Sequence, residues 1–205
     1  EKRTKEWHED TLVNVWSVTK GITATCASKL IDEGMLDPNK MVSHYWPEYG
    51  CNGKENTKVS DLLCHRAAMF GFQKGIPEGS WQDWKKFVDQ LEIQAPYRLP
   101  GTSQGYHALT FGWLVGELIR RVDGRSVGEY FKEEIALPFD IDFHIGLNTD
   151  DFDRCADMLM INFDDIKLPG GFLKYVPNIF LPQKLQNFKA ALLSGDFLAA
   201  FQSRE

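Results

Sequence analysis

Residues 11–36, TLVNVWSVTKGITATCASKLIDEGML, constrain the fold more than any other stretch. An apolar, β-branched run ends at Ser17, and a helical pattern begins there. Val18, Ile22, Cys26 and Leu30 recur at four-residue steps, which predicts one apolar face of a helix over 17–33. Gly34 then suits the left-handed position that closes a helix. Lys20 lies three residues after Ser17, so both side chains leave the same face about one turn apart. A serine at a helix N-terminus sits in the positive end of the dipole. An amine beside it in a poorly hydrated site can take its proton. That is the chemistry of a Ser-x-x-Lys nucleophile. The ordinary alternative is an N-cap serine followed by a solvated lysine. Ser17 is the only one of nine serines with a lysine three positions on.

The remaining chain reads as helices separated by loops. Residues 12–16 predict a short extended run, and 59–65 a short helix capped by Ser60 or Thr57. A helix starting at Ser80 carries the stripe Trp81, Trp84, Phe87, Val88 and Leu91, read as core packing with an aromatic lip over a cleft as the sharper alternative. Residues 106–122 form the most apolar helical pattern, ended by Gly124; within 108–119 only Thr110 and Glu117 are polar breaks. Such a length suits a buried central helix, and its Gly112-x-x-x-Gly116 suits close packing in a core. Ser126 and Glu129 spell a capping box for a helix that Pro138 stops. Residues 140–146 read as a short strand or turn, 148–182 as irregular chain, and 183–193 and 197–202 as weak helices.

A net charge of -6 and the lack of any basic block exclude nucleic acid as a natural partner. No run reaches the roughly eighteen apolar residues of a membrane span. The four cysteines, Cys26, Cys51, Cys64 and Cys155, have no metal-ligand spacing and read as free thiols, which points to a reducing, intracellular setting. His8, His44, His65, His107 and His144 are isolated and read as structural or surface histidines. The acids between 150 and 165 lack the glycine and glutamate of a calcium loop. Hydrophobic residues at 43% suffice for a core in one domain.

One motif competes with Ser17. Gly101-Thr102-Ser103-Gln104-Gly105 is formally the elbow of an α/β-hydrolase. The strand that should precede it contains Pro96 and Pro100, which cannot donate to a ladder. A histidine must also follow at a distance; His107 is too close, leaving only His144. A glycine-rich turn before a helix accounts for the same residues.

The segment VNVWSVTKGITATCASKLIDEGMLD resembles the serine β-lactamase and penicillin-binding-protein superfamily, in particular its branch of β-lactamase-like esterases related to class C enzymes. VSDLLCHRAAMFGF is similar to that branch's LLSHRAGL stretch, and 99–147 resembles its tyrosine-motif helix and the segment after it. The resemblance is strongest over 7–147, and 148–205 is unassigned. It implies an α+β, β-lactamase/transpeptidase-like fold, of which this chain covers mainly the helical part and lacks most of the antiparallel sheet. The expectation is a single partial domain over 1–205, truncated at both ends.

The resemblance implies Ser17 as nucleophile, with Lys20 and Tyr106 as the groups that move protons. It implies hydrolysis of a small-molecule or peptide ester or amide, without cofactor or metal. Where class C enzymes have Tyr-x-Asn, this chain has Tyr106-His107-Ala108, which disfavours antibiotic hydrolysis. The family's third motif, a Lys-Thr-Gly or His/Gly-rich strand, is not found; Gly170-Gly171 follows a proline. That strand normally supplies the second oxyanion donor. Its loss implies impaired catalysis, or a non-catalytic protein that keeps the fold for binding or assembly. The sequence does not fix an oligomeric state.

Overall fold

Helix α1, Val18–Asp32, begins where the β-branched run ends. The computed structural model describes residues 6–74 and 80–157. The buried stripe of α1 is Thr23, Cys26, Ala27 and Leu30, while Val18 is 61% exposed. Strict four-residue steps drift around a 3.6-residue helix by about 40° each, so Val18 ends up about 120° from Leu30. The observed stripe uses the mixed three- and four-residue spacing that holds one face. Gly34, at φ +73°, closes the helix as expected. Its N–H donates to the Ile31 carbonyl at 3.0 Å and that of Met35 to Leu30 at 2.9 Å, a Schellman arrangement that satisfies two terminal carbonyls.

The short helix α2, Val59–Leu63, is capped by neither Ser60 nor Thr57. Asp61 reaches back from inside the first turn and accepts the Lys58 N–H at 3.0 Å. Helix α3, Trp84–Ile93, starts four residues later than the expected start at Ser80, because the Asp83 carboxylate accepts the Lys86 N–H at 3.1 Å and fixes the start there. Its C-terminal end is held by Lys54, whose side chain is buried. Lys54 Nζ donates to the Glu92 carbonyl at 2.9 Å and to that of Gln94 at 2.6 Å. Burial holds the Lys54 ammonium below its ordinary pKa.

The most apolar segment forms α4, Thr110–Asp123, ended by Gly124 at φ +98°. It packs against α1, α2 and α3. Phe87, Val88 and Leu91 of the expected stripe are core, while Trp84 is 36% exposed. Phe87 stacks on Trp113 of α4 at 4.3 Å, and Phe72 and Trp81 close around them. Of the two glycines in α4, only Gly116 makes a close approach; a Cβ there would lie 2.8 Å from the Trp84 ring. The one acidic break, Glu117, is fully buried. It accepts from Arg120 at 2.6 and 2.8 Å, from Arg121 at 2.7 Å and from the Trp84 indole at 2.8 Å. Burial raises its pKa, and these hydrogen bonds outweigh that and leave it below the ordinary carboxylate value.

Helix α5, Val127–Phe131, carries the expected capping box: Ser126 accepts from Glu129 N at 3.2 Å, and Glu129 accepts from Ser126 N at 2.8 Å. It runs on as a π-helical turn over Lys132–Ala136. Among the described residues β-structure amounts to two isolated bridges, Leu12 with Cys155 and Met41 with Lys58. The extended run over 12–16 is therefore reduced to one bridge, and 140–146 holds no strand. The expected helices over 183–193 and 197–202, and Gly170-Gly171, lie outside the described residues.

Candidate active site

The chain turns sharply into α1. Trp16 has φ +53°, a left-handed conformation that a bulky residue rarely adopts, and the Asn14 side chain accepts its N–H at 2.8 Å. The next amides wind inward: Val18, Thr19 and Lys20 donate to Val15, Trp16 and Ser17 at 3.2, 3.1 and 3.1 Å. Ser17 is thereby presented at the start of the helix with its side chain exposed. The Ser17 amide makes no hydrogen bond among the described residues. It stands at the positive end of α1, where a developing negative charge is favoured.

Lys20 sits one turn further along, half-buried. Its Nζ is 3.1 Å from Ser17 Oγ, the hydrogen bond that the spacing anticipates. Among the described residues no carboxylate lies within ion-pair distance of Lys20. On its other side the ammonium lies 5.0 Å from the centre of the Tyr106 ring. The structure thus brings Ser17, Lys20 and Tyr106 together, with two departures from expectation. Tyr106 does not open α4; it lies in the loop four residues ahead of it. Its approach to Lys20 is through the ring, and its hydroxyl makes no hydrogen bond to Lys20 or Ser17 among the described residues.

The loop holds Tyr106 because it crosses the segment after α2. Gly101 N–H donates to the Arg66 carbonyl at 2.9 Å, and Thr110 Oγ1 to that of Met69 at 2.5 Å. Apolar residues in 106–109 look helical in sequence, but their main chain is committed to this crossing. His65, read from sequence as a structural or surface residue, stands at its centre. Its ring lies 4.9 Å from Tyr106, 5.4 Å from His107 and 5.0 Å from Phe111. Burial, and then the Lys20 charge, hold His65 below its ordinary pKa. His107 is fully buried, and burial followed by His65 pushes it down to about 3. Both histidines lie in segments that carry the family resemblance, but nothing in the sequence marks them as a pair, because the contacts span about forty residues.

Ser103 is placed differently. Its Oγ is buried without a hydrogen-bond partner, in a loop with no strand before it among the described residues. A substrate carbonyl does not reach a sealed hydroxyl. The four cysteines are free, and burial pushes the Cys26 thiol up to about 11. No group of acids, histidines and cysteines suited to a metal occurs among the described residues. No helix there is long and apolar enough to cross a membrane.

A serine and a lysine without an ion pair among the described residues thus meet at a helix start, with a tyrosine brought in from a second segment. The chain belongs to the Beta-lactamase family, whose model matches residues 1–200. It is 39% identical over 156 residues to the Esterase/beta-lactamase LipL of Mycobacterium tuberculosis, covering 75% of this chain and 36% of LipL. Among solved structures it is similar to a family VIII carboxylesterase, with 34% identity and a TM-score of 0.80, over 97% of this chain and 49% of that one. A penicillin-binding protein homologue from Caulobacter crescentus shares 36% identity with a TM-score of 0.75, over 79% of this chain and 44% of that one. The fold is thus β-lactamase/transpeptidase-like. The chain spans less than half the length of each of these relatives.

Proposed function

We propose that the chain carries an acyl-transfer site of the serine-hydrolase type, with Ser17 as nucleophile. The observation that carries this is the 3.1 Å contact between Lys20 Nζ and Ser17 Oγ, made without a competing carboxylate among the described residues. Ser17 Oγ attacks an ester or amide carbonyl carbon while its proton passes to Lys20 in its neutral amine form, the ammonium having first given a proton to solvent. The carbonyl oxygen becomes an oxyanion that the Ser17 N–H receives. Tyr106, across Lys20, relays the proton to the leaving group as the bond to it breaks. Water then attacks the acyl carbon by the same route, and Ser17 Oγ leaves with a proton. Small esters are the preferred class: relatives carry esterase in their names, and Ala108 stands where class C enzymes use an amide.

The reading of a single partial domain, contributing chiefly the helical part of the fold, is supported by the helices and two isolated bridges of the described residues. With the Ser17 amide as the one oxyanion donor that the described residues offer, turnover is expected to fall about a hundred- to thousandfold below that of a family VIII carboxylesterase assayed alongside. A second reading, a binding or assembly protein on the same scaffold, is favoured by one observation. Among the described residues no strand lies beside Ser17 to present the second donor. Hydrolysis of a p-nitrophenyl ester separates the two. The enzyme reading expects measurable turnover that Ser17→Ala lowers about a thousandfold or more and Ser103→Ala leaves in place. Turnover absent from the unaltered chain supports the binding protein.

A further inference from the structure

We propose that His65 is a positioning residue for this site, holding Tyr106 against Lys20 by gripping the main chain on both sides of it. The proposal rests on the acyl-transfer reading of Ser17, Lys20 and Tyr106. The residue before Tyr106, Gly105, donates its N–H to the His65 carbonyl at 3.0 Å. The residue after it, His107, donates its N–H to His65 Nδ1 at 3.2 Å. One residue therefore takes both flanking amides, one on its main chain and one on its ring. Its imidazole also packs on the Tyr106 ring at 4.9 Å. The grip is returned, since His107 Nε2 accepts the Met69 N–H at 3.1 Å and ties the loop to the segment after α2.

His65 can do this because of its backbone. At φ +59° it is left-handed, which turns its carbonyl and its ring toward the same crossing loop. Strained positions of this kind persist where the surroundings over-determine them, and they gather at functional sites. Accepting at Nδ1 requires an imidazole with that nitrogen unprotonated, its proton on Nε2. Burial and the neighbouring Lys20 charge favour that neutral form. Lys20 from α1, and Tyr106 and His107 from the crossing loop, are the titratable groups around the ring.

His65→Gly and His65→Asn test this, because both glycine and asparagine tolerate the left-handed backbone. Asparagine also returns an acceptor near the position of Nδ1, and glycine does not. The readout is the rate at which a fluorophosphonate labels the full chain, with Ser17→Ala as the control. His65→Gly is expected to slow labelling about a hundredfold, the cost of misplacing a reacting group by an ångström. His65→Asn is expected to recover most of that loss. In a Tyr106→Phe background, His65→Gly is expected to cost nothing further, since it acts through Tyr106. Three results overturn the proposal alone: wild-type labelling by His65→Gly, equal slowing by His65→Asn, or losses that multiply with Tyr106→Phe. Labelling that survives Ser17→Ala overturns the acyl-transfer reading and this proposal with it.

Discussion

Two cationic regions sit on the same helical scaffold and are built in opposite ways. At the C-terminal half of α4, every charge is answered. Glu117 holds Arg120 and Arg121; Arg121 reaches on to Glu48 at 2.8 Å and Glu92 at 3.3 Å, and the Trp46 indole donates to Glu92 at 2.7 Å. At the start of α1, Lys20 has a neutral hydroxyl on one side and an aromatic ring on the other. A closed network fixes packing and has no bonding capacity left for a ligand. A cation that leans on a serine keeps that capacity. Buried charge among the described residues is thus a mark of architecture, and the half-buried Lys20, without an ion pair among them, is where the proposed chemistry is placed.

The largest expected effect breaks the closed region. Glu117→Ala removes four hydrogen bonds at a fully buried position and leaves the Arg121 and Trp84 donors without their acceptor. A loss of about 3–5 kcal/mol is expected, read as a lowered midpoint in urea unfolding. An unchanged midpoint would mean that the network is ornamental and the contrast false.

The next effect probes the seam between the regions through pH. His107 is neutral in the fold, with its pKa pushed down to about 3, against about 6.5 in an unfolded chain. Between those values the unfolded state binds the extra proton, so stability falls as pH falls. The contribution is fully present above about pH 6.5 and is lost toward pH 3, a few kcal/mol in all. His107→Gln offers an acceptor near Nε2 for the Met69 N–H, so its unfolding midpoint is expected to vary less over that window. Equal slopes for both proteins would show that His107 is not the acid-sensitive group.

The smallest effect on stability comes from the open region. Lys20→Met removes a cation that has no ion pair among the described residues, and a change within about 0.5 kcal/mol is expected. The same substitution is expected to abolish ester hydrolysis. A large loss of stability would place Lys20 with the structural charges.

Sequence shows what is decided within a few residues. The start of α1 at Ser17, its closure at Gly34, the stop at Gly124 and the Ser126–Glu129 box are all set by local chemistry. The Ser17–Lys20 contact is of the same kind, since three-residue spacing settles it. The features hidden from sequence depend on partners far along the chain. Tyr106 reads as helical because its neighbours are apolar, yet its loop is committed to the segment around His65, some forty residues earlier. Lys54 resembles any surface lysine until the end of α3 is folded onto it. Four-residue steps misplace the buried face of α1, because they do not keep to the helical period.

Peptide mapping after fluorophosphonate treatment is the most direct test of the claim that the unanswered cation marks the chemistry. The account predicts a single phosphonylated residue, Ser17, with labelling lost in Lys20→Met and retained in Ser103→Ala. A label on Ser103, or on Ser17 at an undiminished rate without Lys20, would contradict it.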